Sequence, residues 1–83
     1  MNSITPDEIL PTIGEIVHQV VGVPVEQVVP SAAFIEDLGV DSLSLLEIAV
    51  GIEEKFGVRV PDDRVAGLLR VSDAVAFIQG ALV

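Results

Sequence analysis

Ser42 is the residue whose type and surroundings best support chemistry, because it lies between an acidic segment and an apolar periodic segment. Gly39 can end a turn and Asp41 is a good N-cap, so we predict Ser42 in the first turn of a helix with its hydroxyl facing water. A helix start has unpaired N–H groups and positive dipole potential, which favour a phosphate ester at that position. The pattern predicts an attachment site for a phosphate-linked group rather than a nucleophile.

Other chemistry at this serine is poorly supported. A hydrolase would need a base, and His18, the only histidine, is predicted on the polar side of the first helix with nothing in the sequence to place it near Ser42. The acidic segment lacks the alternating ligands and closing glutamate of a calcium loop. The chain has no cysteine, so thioester chemistry would need an imported thiol. We predict no catalytic residue and no metal site.

Composition indicates one small acidic domain. The 83 residues fit a single domain, with 51% hydrophobic but only 4% aromatic residues, so the core must consist mainly of aliphatic side chains. Thirteen acidic against four basic residues argue against nucleic-acid binding and favour partners with basic surfaces, although acidity also serves solubility. No basic region precedes an apolar segment at the amino terminus, and no apolar run approaches membrane-spanning length. We expect a cytoplasmic protein without membrane contact.

The first part of the chain predicts one helix and one long loop. Residues 5–8 combine a capping threonine, a proline and a glutamate, and helical spacing of apolar residues continues to about Val21. Pro11 and Gly14 weaken this pattern, so a kink or a late start is an open alternative. The loop extends to Gly39, with one short turn around residues 26–28. Six apolar residues should tie it to the core, with Phe34 as the main anchor: Val25, Val28, Val29, Phe34, Ile35 and Leu38.

Three further helices complete the predicted fold. The second runs from Ser42 to about Phe56 and stops at Gly57. Residues 58–61 alternate too briefly to form a sheet. Asp62 and Asp63 should cap a short third helix that reaches about residue 69, and Ser72 should cap the last helix. We therefore predict an all-α four-helix bundle with three longer helices, a short third helix and a long loop between the first two.

The second helix has two apolar faces when its residues are projected at about 100° each. The predicted core face consists of Leu45, Ile48, Ala49, Ile52 and Phe56. A second row, Leu43, Leu46 and Val50, lies among acidic residues. Two interpretations fit this row: it forms a docking surface ringed by carboxylates, or it is buried because the helix is central and covered on two sides.

The chain resembles the acyl carrier proteins. The tripeptide Asp41-Ser42-Leu43 matches their Asp-Ser-Leu motif, and the Glu-Glu-Lys-Phe of residues 53–56 and the Val-Pro-Asp-Asp of residues 60–63 look like those of carriers from dissociated bacterial synthases. The resemblance covers nearly the whole chain. Two departures from the family pattern concern charge. Ser44 occupies a position that is often acidic, and Arg64 and Arg70 bring positive charge to a region where many relatives are acidic or neutral.

This resemblance implies that a phosphopantetheinyl transferase moves 4'-phosphopantetheine from coenzyme A to Ser42, and that the thiol of this arm carries acyl chains as thioesters. The free-standing, monomeric carrier would shuttle them among an acyltransferase, a ketosynthase, reductases and other enzymes of fatty-acid or polyketide synthesis. The apolar core could also admit part of the acyl chain. Partner docking is implied for Asp41, Leu43, Leu46, Glu47, Val50, Glu53 and Glu54. The alternative is an unmodified acidic interaction module, against which the intact Ser42 argues.

Overall fold

The computed structural model describes residues 6–82, which form four α-helices. They are α1 (Pro6–Val21), α2 (Ser42–Phe56), α3 (Asp62–Val65) and α4 (Val71–Leu82), with a 3-10 turn at Val25–Gln27 in the long loop between α1 and α2. Helix α1 packs against α2 and α4, and α3 packs against α2. The predicted all-α class, the short third helix and the long loop are confirmed. Residues 58–61 form neither helix nor strand.

Helix α1 runs from Pro6 to Val21 and includes Pro11, so the predicted first helix is confirmed and the alternative of a late start is wrong. The capping threonine at position 5 lies outside the described residues. Gly14 is buried in the middle of the helix, and a Cβ atom placed there would lie 2.9 Å from Cγ1 of Val25. The missing side chain at position 14 therefore lets the 3-10 turn pack closely on α1.

Phe34 anchors the α1–α2 loop as predicted, because its side chain is fully buried. Val28 and Leu38 are also buried, but Val25, Val29 and Ile35 are exposed, so their predicted core positions are wrong. The loop turns sharply after Ala33, whose carbonyl accepts hydrogen bonds from the N–H groups of residues 37 and 38. The exposed residues Val29 and Ile35 directly follow the buried residues Val28 and Phe34, so the loop passes in and out of the core within one residue.

Helix α3 is shorter than predicted, because it ends at Val65 rather than near residue 69. Residues 66 and 67 form a turn, in which the N–H of Gly67 donates to the carbonyl of Arg64. The predicted caps Asp62 and Asp63 lie inside the first turn, and Pro61 occupies the N-cap position without a side-chain hydrogen bond. Glycine has low helix propensity, so Gly67 explains why α3 ends at Val65 and does not reach residue 69.

Helix α4 begins one residue before the predicted cap. Val71 is its first residue, and the N–H of Arg70 donates to the Asp73 carboxylate at 2.9 Å. Ser72 is therefore not the cap, and its N–H instead donates to the carbonyl of Pro30 at 2.9 Å. The Asp73 carboxylate, rather than Ser72, thus bonds the backbone at the start of α4.

Candidate functional site

Ser42 is the first residue of α2 and is exposed. Asp41 is the N-cap: its carboxylate accepts a hydrogen bond from the N–H of Ser44 at 2.8 Å, and its carbonyl accepts one from the N–H of Leu45 at 2.9 Å. Gly39 provides the left-handed turn just before the cap, with φ of 68°. The predicted cap and the predicted exposure of Ser42 are confirmed.

Asp41 is ionised at neutral pH. The backbone N–H of Ser44, followed by the Ser44 hydroxyl, holds the pKa of the Asp41 carboxyl below its usual value of 3.8. A fixed negative charge thus lies immediately before Ser42. The charge also complements the positive end of the helix dipole, which stabilises the start of α2.

The core face of α2 is buried as predicted: Leu45, Ile48, Ala49, Ile52 and Phe56. The second apolar row faces solvent, since Leu43 is 69%, Leu46 43% and Val50 51% exposed. The interpretation that this row is covered by the rest of the bundle is therefore wrong. Exposed aliphatic side chains of this size, grouped on one helix, form an apolar patch that a partner could cover.

The acidic residues around this row differ in their surroundings. Glu47 and Glu54 are exposed, whereas Glu53 is half-buried and its carboxylate accepts a hydrogen bond from the N–H of Val60 at 2.8 Å. Glu53 therefore supports the connection between α2 and α3. A small cleft of about 110 Å³ lies beside it, between the apolar row and Val65 of α3.

A larger groove of about 450 Å³ opens beside Ser42. Its apolar lining consists of Ala33, Ile35, Leu45, Ala66, Leu68 and Leu69. Two charged residues, Glu36 and Arg70, share the lining with Ser42. The volume lies within the range of small-molecule pockets, about 300–1,000 Å³. Sequence reasoning did not find this groove, since its walls come from segments far apart in the chain.

Backbone hydrogen bonds hold the groove walls together. The N–H of Phe34 donates to the carbonyl of Leu69 at 3.0 Å, and the N–H of Val71 donates to the carbonyl of Ala32 at 2.9 Å. Between these two bonds, Ala33 pairs with Arg70 in an isolated antiparallel bridge. The α1–α2 loop and the segment before α4 are thus joined into one wall.

Among residues 6–82, no group of three or more histidine, cysteine or acidic side chains is placed to hold a metal ion. His18 lies near the end of α1, where its Nδ1 is hydrogen-bonded to the carbonyl of Val23 at 3.0 Å. It is not among the residues that line the groove at Ser42. In the same range, no helix has both the length and the apolar character needed to cross a bilayer.

Comparison with known proteins agrees with this geometry. The profile of the family described as "Phosphopantetheine attachment site" matches residues 3–78. An acyl carrier protein of Acidothermus cellulolyticus is 48% identical over 81 residues, which cover 98% of this chain and 96% of that relative. The chain belongs to the acyl carrier protein family.

Other acyl carrier proteins are similarly close. One from Rhodococcus erythropolis is 48% identical over 75 residues, covering 90% of this chain and 82% of the relative. The meromycolate extension acyl carrier protein of Mycobacterium tuberculosis is 46% identical over 76 residues, covering 92% of this chain but 66% of the relative. The relatives therefore agree on the carrier domain, and part of the mycobacterial protein has no counterpart in this chain.

Family membership confirms three sequence predictions. This chain is a carrier rather than an enzyme, its cofactor is 4'-phosphopantetheine, and it interacts with enzymes of acyl-chain synthesis. The cofactor fits the structure, because an exposed hydroxyl at a helix start lies beside an open and largely apolar groove.

Proposed function

We propose that Ser42 is the residue that carries the 4'-phosphopantetheine arm. The observation that carries this proposal is the position of Ser42. It is an exposed serine at the first residue of α2, directly after the N-cap Asp41 and beside the 450 Å³ groove. The start of a helix favours a phosphodiester, because the first N–H groups have no partner within the helix and the dipole is positive there. The exposed hydroxyl therefore lies at the positive end of the helix dipole, of which the Asp41 carboxylate already bonds one N–H, that of Ser44.

The arm, when bound, supplies the thiol that the cysteine-free chain lacks and holds acyl groups as thioesters. The chain's own residues have two roles in this arrangement. Ser42 tethers the arm, and the apolar groove wall formed by Ile35, Leu68 and Leu69 offers surface along which a tethered apolar group can lie.

We also propose that partner enzymes dock on α2 and its rim. This docking surface consists of Asp41, Leu43, Leu46, Glu47, Val50, Glu53 and Glu54. The exposed apolar row would supply the buried contact area, and the carboxylates would attract Arg and Lys and orient the partner. Glu53 contributes less than its neighbours, because its carboxylate already accepts the N–H of Val60.

The partners would include the phosphopantetheinyl transferase and, among synthase enzymes, an acyltransferase, a ketosynthase and reductases. We propose a fatty-acid rather than a polyketide pathway, since similar carriers are named for meromycolate extension. The carrier would act as a monomer in the cytoplasm, where coenzyme A and the synthase enzymes are also present.

The test of attachment is a mass measurement after incubation of the chain with coenzyme A and a broad-specificity phosphopantetheinyl transferase. Wild type should gain the mass of one arm, and Ser42→Ala should gain none. Ser72→Ala is the matched control, because Ser72 is another exposed serine in the first turn of a helix, and this variant should gain one arm. An unmodified wild type, as expected of a simple interaction module, or an arm on Ser42→Ala would contradict the proposal.

A further inference from the structure

The groove beside Ser42 is not uniformly apolar, because Arg70 contributes a cation to its lining. The acyl carrier protein has only four basic residues and a formal net charge of −9. A positive side chain in the groove at the attachment site therefore differs from the general charge of the protein. The positive charge and the N–H donors of Arg70 should act on any group that is tethered to Ser42 and lies in the groove.

The Arg70 side chain is held in place by a contact with the α1–α2 loop. Its Nη1 donates to the carbonyl of Ser31 at 2.6 Å, and its backbone pairs with Ala33. A guanidinium has five N–H donors in a planar arrangement, so this one bond leaves others for a ligand. The contact with Ser31 reduces the freedom of the side chain and thus the entropic cost of a second hydrogen bond.

Glu36, the second charged residue of the groove, limits the kind of ligand that Arg70 can bind. A carboxylate in the groove would be attracted by Arg70 but repelled by Glu36. A neutral oxygen acceptor avoids that repulsion, and it accepts a charge-assisted hydrogen bond from the guanidinium. The remaining lining, with Ile35, Leu68 and Leu69, suits the hydrocarbon part of the same ligand.

We propose that Arg70 is a specificity-determining residue that hydrogen-bonds a neutral oxygen near the thioester end of the acyl group. It would favour acyl groups with a carbonyl at the third carbon over saturated chains of equal length. A carbonyl at the third carbon adds a second acceptor oxygen to that of the thioester, and the guanidinium has further N–H donors for it. This inference rests on the proposed attachment at Ser42.

The test compares two tethered groups of equal length, octanoyl and 3-oxooctanoyl, each on the 4'-phosphopantetheine arm of the full chain. Two-dimensional NMR of arginine side chains reports on the Arg70 Nε–H signal in the apo, arm-only, octanoyl and 3-oxooctanoyl forms. We expect this signal to shift further, and its hydrogen to exchange more slowly, in the 3-oxooctanoyl form than in the octanoyl form. Arg64 is the internal control. Its Cζ lies 5.2 Å from the centroid of the Phe77 ring, and its Nε–H signal should be the same in all four forms.

Hydrolysis of the two thioesters provides a second measurement. Relative to the same thioesters on free pantetheine, wild type should protect 3-oxooctanoyl about 3- to 10-fold more than octanoyl, as expected for one net hydrogen bond. Arg70→Gln should reduce this preference to near unity, Arg70→Lys should retain part of it, and Arg64→Gln should leave it unchanged. A purely structural role of Arg70 would alter protection of both groups equally.

The proposal is overturned if the Arg70 signal is the same in both acyl forms, or if Arg70→Gln retains the preference for 3-oxooctanoyl. A signal that already moves in the arm-only form and no further would also overturn it, because Arg70 would then bind the arm. Failure to attach any arm appears earlier, as a missing mass increase, and contradicts attachment at Ser42 instead.

Discussion

The carboxylate of Glu53 accepts a hydrogen bond from the backbone N–H of Val60 at 2.8 Å, and this bond connects the last turns of α2 to the segment before α3. Val60 is buried, and Gly57, between the two residues, ends α2 in the left-handed conformation with φ of 69°. The reversal of the chain after α2 is thus stabilised by a side chain that the sequence pattern assigns to the acidic rim.

Replacement of Glu53 by alanine should destabilise the fold. The variant loses a hydrogen bond to a charged acceptor and leaves a partly buried N–H without its partner, so we expect the free energy of unfolding to fall by about 1–2 kcal/mol. Urea denaturation followed by circular dichroism measures this loss. Glu54→Ala is the control: Glu54 is the exposed neighbour, and its replacement should change stability by less than about 0.5 kcal/mol. Equal losses in both variants would show that the bond to Val60 contributes nothing.

The limits of α2 were predictable because their signals are local. Asp41 supplies the cap, Gly57 supplies the left-handed residue after the helix, and the spacing of apolar residues between them separates the buried face from the exposed row. Each signal requires only a few neighbouring residues. The helical projection also placed Leu43 outside the core face, but it left open whether that row is covered, and only the structure shows the row to be exposed.

The groove was not predictable, because long-range contacts decide which loop residues form it. Phe34 and Ile35 are adjacent and both apolar, yet Phe34 is fully buried and Ile35 is 56% exposed in the groove lining. The difference depends on the bond between the N–H of Phe34 and the carbonyl of Leu69, which a local pattern cannot contain. For the same reason, nothing in the sequence placed Arg70 beside Ser42.

Loss of the Asp41 charge should make the stability less dependent on pH. Because its pKa is lowered in the folded state, ionised Asp41 stabilises the protein above pH 3.8, and this contribution disappears as the pH falls through the folded-state pKa. Asp41→Asn keeps a capping side chain but cannot ionise. The melting temperature of wild type should therefore exceed that of Asp41→Asn near neutral pH.

The same difference should shrink as the pH falls through the folded-state pKa of Asp41, below which the two proteins have the same charge at position 41. Thermal unfolding, monitored by circular dichroism at matched ionic strength, measures this difference in melting temperature. Effects of pH that are common to both proteins cancel in the comparison. A difference that stays constant over this range would show that ionisation of Asp41 does not stabilise the fold.

Gly51 is required by the close approach of α1 and α2. A Cβ atom at this position would lie 2.8 Å from Cγ2 of Ile16, whose side chain is buried. Alanine improves helix propensity by about 1 kcal/mol, but overpacking of a buried contact costs about 1–3 kcal/mol. We therefore expect Gly51→Ala to lower the free energy of unfolding by about 1 kcal/mol in urea denaturation.

Gly80→Ala is the matched control for this substitution. Gly80 also lies within a helix, α4, but a Cβ atom there meets no other atom within 4 Å. The variant should gain about 0.5 kcal/mol of stability, because the unfolded chain loses freedom and nothing in the native state must move. If both substitutions stabilise the protein, the contact between Gly51 and Ile16 is not restrictive.

Charge reversal at Glu47 tests the proposed docking surface. Glu47 is exposed beside the apolar row of α2, so Glu47→Lys would replace attraction to a basic partner by repulsion. With the phosphopantetheinyl transferase as partner, kcat/KM for arm transfer should fall about 3- to 10-fold at low ionic strength, as expected when electrostatic steering is lost. At high ionic strength the difference from wild type should decrease, because the Debye length shortens to about 3 Å at 1 M salt.

Glu26→Lys makes the same change in net charge at an exposed residue of the 3-10 turn, outside the docking surface. If only total charge mattered, both variants would slow transfer equally, whereas local docking on α2 requires a larger effect at Glu47. Attachment at Ser42 can be followed by mass in the same reactions, so a slow variant is distinguished from one that cannot accept the arm. Equal rates for wild type and Glu47→Lys at all salt concentrations would remove Glu47 from the docking surface and leave the exposed row of Leu43, Leu46 and Val50 as the remaining candidate contact.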